Sequence, residues 1–186
     1  IHETTKDQDF QMGHLDTKGF GESFRSDTLE SLNQIEESLS ELKIAARSTY
    51  CERTRAILDD DFSVLLAEDL PLVNASWDYK ANNLVFDASV NPTLIDPDNA
   101  GRIPRILDLA LTLLLFHNES ETSPASPFTR EEWKGFLHTY KSRVDFTAKE
   151  MDLWEPMLRF VIADEVTWAI ADNLNDGWTT KTVSYT

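Results

Sequence analysis

Asp78, Asn83 and Asp96 are hard oxygen donors placed beside short apolar runs, in a stretch that reads SWDYKANNLVFDASVNPTLIDPDNAG over residues 76–101. Asn83 follows Asp78 by five positions, and Asp96 comes thirteen further on. Phosphoryl transfer needs such a set: a carboxylate to orient the acceptor hydroxyl, and oxygen ligands that hold Mg²⁺ against the nucleotide phosphates. Mg²⁺ keeps several of its waters, so one carboxylate and one amide from the protein suffice. Donors at the tips of neighbouring short strands keep a fixed separation that donors on loops would not. Asp98 reads either as a second metal contact or as a capping residue. A calcium loop starting at Asp96 is excluded, because Ala100 stands where an oxygen ligand belongs and Leu107 where the bidentate Glu belongs.

The elements that must position these residues are mostly helical. Leu29, Leu32, Ile35, Leu39 and Leu42 recur at steps of three and four behind Asp27-x-x-Glu30, which reads as a capping box. Residues 1–25, with Gly13, Gly19 and Gly21, read as an irregular lead-in. A second helix is expected from about Thr49 to Leu58, with Tyr50, Thr54, Ile57 and Leu58 on one side, and Pro71 ends helical order. Leu72-Val73, Leu84-Val85-Phe86 and Thr93-Leu94-Ile95 are the candidate strands of one small β element. Pro104 opens a helix through Phe116, where its missing N–H costs nothing. Residues 117–127 form a polar loop with two prolines. Thr129-x-x-Glu132 and Thr147-x-x-Glu150 are capping boxes for two further amphipathic helices. Pro156 calls for a kink in the second, or for two successive helices. The tail after Gly177 reads as loosely ordered.

The pattern around Asp78 resembles the catalytic core of the aminoglycoside phosphotransferase and choline kinase family, within the protein-kinase-like superfamily. That pattern is a His-x-Asp loop, an Asn five residues after the Asp, and a strand ending in Ile-Asp; Asp78, Asn83 and Ile95-Asp96 follow it in order and spacing. Leu107-Asp108-Leu109-Ala110 resembles the family's Asp-Leu-Ala, and Ile1-His2 resembles the Leu-His that precedes its helical insert. The likeness is dense from residue 70 to 115 and general elsewhere. It implies Asp78 as catalytic base, Asn83 and Asp96 as Mg²⁺ ligands, and ATP as co-substrate. It also implies Lys80 as a phosphate contact, where a solvated surface lysine is the plainer reading. Ser76 and Asp108 would be structural supports of the loop.

Two departures qualify the likeness. Ser76 stands where the family has histidine, and Trp77 where it commonly has glycine. Nothing upstream supplies a glycine-rich loop or a strand lysine for a nucleotide. The expectation is therefore a single unit over residues 1–186, mainly α with a small β element (α+β): a protein-kinase-like C-terminal lobe whose N-terminal nucleotide-binding lobe is missing from this chain. The family's acceptor pocket is formed largely by the helices after the metal-binding strand and by the insert before the catalytic loop. Here those carry Glu131, Glu132, Trp133, Asp152, Trp154, Glu155, Asp164, Glu165 and Trp168. Such acid–aromatic walls suit a cationic amino alcohol, although tryptophans in the core and acids on solvated faces are the plainer reading.

Composition bounds the alternatives. A net charge of −16 disfavours nucleic acid and anionic membranes as partners. No apolar run approaches the roughly 20 residues of a membrane span. One cysteine, Cys51, permits no internal disulfide, which fits a cytoplasmic protein. The expected function is transfer of the γ-phosphoryl group to a small hydroxylated, possibly cationic substrate. The alternative is a non-catalytic kinase-like module that binds a ligand or a protein partner.

Overall fold

The leucines after residue 29 belong to a longer helix than their spacing outlines. In the computed structural model, which describes residues 20–41, 47–96, 99–117 and 127–175, helix α1 runs Glu22–Glu41. Asp27 therefore lies inside the helix, not at its start, and the expected capping box and the irregular stretch up to residue 25 are both corrected. The cause is aromatic. Phe20 packs edge-on against Phe62 and Phe160, and Phe24 stacks on Trp77 with ring centres 5.0 Å apart. Burying these rings rewards helix one turn earlier than the leucine pattern shows. Residues 1–19 lie outside the described residues.

Helix α2, Arg47–Ile57, does not stop where the sequence pattern does. It continues through a π-helical turn, Leu58–Phe62, into α3, Ser63–Ala67. Asp59, Asp60 and Asp61 break the apolar pattern, yet the wider turn keeps Leu58 and Phe62 fully buried. The acids are answered from other helices: Arg25 pairs with Asp59, and Arg159 grips Asp61 with two bonds of 2.8 Å.

The β structure is two sheets, not one. Strand β1, Leu72–Ala75, pairs antiparallel with β4, Gly101–Pro104, with Val73 opposite Ile103. Strand β2, Leu84–Phe86, pairs with β3, Pro92–Leu94, with Leu84 opposite Leu94. β4 was not anticipated, since a four-residue run holding Gly101 and Pro104 gives almost no strand signal. Its pairing with β1 is a long-range event that local pattern cannot show. Ile95, expected in the third strand, lies beyond β3, although its N–H still donates to the Asn83 carbonyl at 2.9 Å.

Helix α4, Arg105–Leu115, follows β4 directly, and Pro104 flanks its first turn as expected. Residues 105–113 are all buried, including Arg105 and Asp108. Arg105 sends Nε and Nη2 to the two oxygens of buried Glu150, at 2.9 and 2.5 Å. Both threonine capping boxes are present, at the starts of α5, Arg130–Lys141, and α6, Ala148–Asp152. Leu153 separates α6 from α7, Trp154–Asn175. Pro156 thus sits in the first turn of a second helix, where no N–H is needed. The core gathers Leu58, Phe62, Val73, Ile103, Leu107, Met157 and Phe160 between β1–β4 and the helices. The polar loop at 118–126 and the tail from 176 lie outside the described residues. No described helix is long and apolar enough to cross a membrane.

Candidate functional site

The loop that carries Asp78 leaves β1 through a sharp backbone reversal. Trp77 has φ +60°, the left-handed region that penalises side chains with a Cβ. This accounts for the glycine of the resembled pattern, and shows what tryptophan offers instead: a stacked partner in Phe24. The Trp77 N–H donates to Asp108 Oδ1 at 3.2 Å, tying the reversal to α4. Further along, the Ala81 N–H donates to the Phe116 carbonyl at 2.8 Å, so both ends of the loop are fastened to one helix.

Within this frame Asp78 and Asn83 meet. A single 3₁₀ turn, Ala81–Asn83, brings the buried Asn83 back against the loop. Its Nδ2 donates to the Asp78 carbonyl at 2.9 Å and to Asp78 Oδ2 at 3.0 Å. With both amide hydrogens committed to Asp78, the atom left to meet a cation is the carbonyl oxygen Oδ1. Lys80 Nζ lies 3.0 Å from Asp78 Oδ2, so in this structure it neutralises the carboxylate.

Asp96 is exposed and lies one residue past Ile95, whose N–H is bound to the Asn83 carbonyl. It has φ +58°, a conformation that Asp tolerates better than most residues. Among the described residues no side chain is bonded to it, and Asp98 lies outside them. The donor types, one amide oxygen and one exposed carboxylate, fit Mg²⁺ by chemistry. No group of three or more His, Cys, Asp or Glu is gathered among the described residues.

A second carboxylate pair approaches from α7. Burial raises the Glu165 pKa to about 7, with the charges of Asp164 and Asp78 adding to the rise and Lys80 opposing it. Asp164 is raised to about 6, mainly by burial. Its Oδ1 lies 2.5 Å from Thr28 Oγ1, which is also 2.9 Å from the Phe24 carbonyl. One hydroxyl hydrogen cannot serve two acceptors, so a protonated Asp164 satisfies this trio better than an ionised one. The other acids expected near the acceptor do not join them: Glu131, Glu132, Asp152 and Glu155 are exposed on α5, α6 and the start of α7, and Trp168 is 60% exposed. Trp133 and Trp154 are half-buried. The nearness of Glu165 to Asp78 spans 87 positions of chain, and no local signal marks it.

Ser76 stands where the resembled pattern has histidine. It is buried, and its Oγ has no hydrogen-bond partner among the described residues. Beside it is a cavity of about 160 Å³, bounded by α4 and α5.

The mostly helical fold with small antiparallel sheets is that of a kinase-like C-terminal lobe. Among solved structures it resembles the Plasmodium vivax ethanolamine kinase, with a TM-score of 0.57 and 14% identity over 93% of this chain and 50% of that one. The Cryptosporidium parvum choline kinase matches at a TM-score of 0.49 and 17% identity, over 91% of this chain and 55% of that one. The chain thus spans about half the length of these kinases. No family model matches the sequence, and no curated protein does.

Proposed function

We propose that this chain is the C-terminal lobe of an ATP- and Mg²⁺-dependent phosphotransferase acting on a hydroxyl of a small molecule. The observation that carries the reading is the Asp78–Asn83 pair, whose hydrogen bonds hold the carboxylate and turn the amide oxygen away from it. Asp78 orients the acceptor hydroxyl for in-line attack and takes up its proton. Asn83 and Asp96 would hold the metal, which when bound neutralises charge on the phosphates. Lys80 moves from Asp78 to the transferred group as the acceptor takes its place. The kinase-like fold supports the class, and an amino alcohol is the acceptor we favour. An ammonium group is attracted by the chain's charge of −16.

Adenosine recognition is assigned to a further lobe, which we place over the exposed hairpin β2–β3. Phe86 and Val90 there are 55% and 73% exposed, an apolar surface with no cover among the described residues. The test uses the protein extended by its upstream coding sequence. Asp78→Ala should reduce phosphoryl transfer to amino alcohols by about 10²–10⁴-fold, with its circular dichroism unchanged. Undiminished turnover would remove the mechanism.

One observation favours a second reading, a non-catalytic lobe that binds a ligand or protein: Lys80 occupies Asp78 Oδ2, an oxygen the acceptor would need. Calorimetric titration of the extended protein with Mg²⁺ and ATP separates the two. Binding with slow hydrolysis supports the enzyme, and absence of nucleotide binding supports the module.

A further inference from the structure

Phe24 lies in the first turn of α1, far up the chain from the loop it touches. Its ring is stacked on Trp77 with centres 5.0 Å apart and planes within 5° of parallel. Trp77 holds φ +60° and is bonded in sequence to Asp78. We propose that Phe24 is a positioning residue for the Asp78 carboxylate, its ring clamping Trp77 in the left-handed conformation that aims the residue after it. The consequence for turnover rests on the phosphotransferase reading; the clamp itself does not.

Two effects of similar size oppose each other at Trp77. A left-handed backbone disfavours a residue with a Cβ by about tenfold in population. A stacked aromatic pair recovers about two- to tenfold beyond the area it buries. The reversal therefore depends on its partner ring, as glycine in that place would not. The bond from the Trp77 N–H to Asp108 Oδ1, at 3.2 Å, is at the long end of the usual range and does not pin the turn alone. The partner ring is itself held. Phe24 meets Phe20 and Phe160 with ring centres 6.0 Å apart in each case. Its carbonyl lies 2.9 Å from the hydroxyl of buried Thr28, which is also 2.5 Å from Asp164 of α7. So α7 fixes α1, and α1 fixes the turn. Asp78 inherits that placement: its carbonyl and Oδ2 receive the Asn83 amide, bonds that need the chain to leave residue 77 in this direction.

The test follows hydrogen exchange of the Trp77 and Ala81 amides in the whole chain, with the Leu111 amide of α4 as reference. Phe24→Leu keeps apolar bulk against Phe20 and Phe160 and removes the flat ring. It should speed exchange about tenfold at Trp77 and Ala81 and leave Leu111 unchanged. Phe24→Tyr should retain wild-type protection. In a Trp77→Gly background, Phe24→Leu should not change exchange at Ala81, because glycine needs no clamp. Where circular dichroism shows Phe24→Leu unfolded, Trp77→Leu removes the other ring and carries the same expectation at Ala81. Unchanged loop amides would overturn the clamp, as would an equal rise in the glycine background. In the protein extended by its upstream coding sequence, Phe24→Leu should lower kcat about fivefold with the KM for ATP unchanged, and Phe24→Tyr should restore it. An unchanged kcat would overturn the positioning role. An extended wild type that transfers nothing would overturn the phosphotransferase reading instead, while the exchange rates still decide the clamp.

Discussion

Two pairs of short strands flank the same loop and differ in almost every other respect. In β1–β4, Val73, Ala75, Gly101, Ile103 and Pro104 are buried, and the pair joins the core through Val73, Ala75 and Ile103. In β2–β3, Val85, Phe86, Val90 and Ile95 are 43–73% exposed. A two-stranded ribbon alone in water is marginal. The first pair takes its stability from the core, while the second relies on a few local bonds. The Asp87 carboxylate accepts the N–H groups of Ser89 and Asn91 to close its turn, and Asn83 ties its base to Asp78. The buried pair fixes where the catalytic loop starts. The exposed pair carries the oxygen donors and is the half that waits for a partner. The lesson is that a rigid frame and an incomplete site occupy adjacent strands of one chain.

The contrast breaks most severely at the frame. Arg105→Ala leaves the Glu150 carboxylate buried and half-answered, so stability to urea should fall by about 3–5 kcal/mol. A smaller loss there would mean that the frame is looser than its burial implies. Next in size is a pH effect on the α1–α7 contact. The folded pKa of Asp164, about 6, lies above its ordinary value of 3.8. The folded state therefore binds the extra proton, and stability falls as pH rises through that interval. Asp164→Asn keeps the hydrogen bond to Thr28 and loses the titration. Its advantage over wild type should grow from near zero at about pH 4 to on the order of 2 kcal/mol at pH 7. A constant difference across that range would show Asp164 to be ionised throughout.

A subtler comparison concerns Trp77, where frame and loop join. Trp77→Gly and Trp77→Ala both remove the stacked ring, but only glycine relieves the left-handed backbone. The glycine variant should be the more stable of the two by about 1 kcal/mol. Equal stabilities would mean the reversal opens when the ring is lost. The smallest expected effect belongs to the exposed pair: Phe86→Ser should change stability by less than about 0.5 kcal/mol. If this chain unfolds far more readily with serine there, the hairpin is already packed and needs no cover.

Much of this was legible in advance, for identifiable reasons. Both threonine capping boxes appear as their four-residue patterns dictate, because a cap satisfies its own helix end through neighbours in sequence. Pro156 falls in the first turn of the second helix for an equally local reason. The pattern around Asp78 and Asn83 was readable through its likeness to a known family, and in the structure its five-residue spacing closes in a hydrogen-bonded turn. The misreadings share an opposite cause. The early start of α1 depends on Phe20 and Phe24 meeting rings from α3's approach and from α7. The extension of α2 past Ile57 depends on arginines far along the chain, and β4 exists only through its partner β1.

Sequence alone determined the helical majority and the two threonine caps, since each rests on periodicity or on contacts within one turn. Only the tertiary structure decided that the β element is two sheets and that Trp77 takes a glycine's backbone against Phe24. It alone opened the cavity beside Ser76. Those outcomes depend on which surfaces meet after distant segments pack, and burial there overrides local preference by excluding water from groups that the chain order keeps apart.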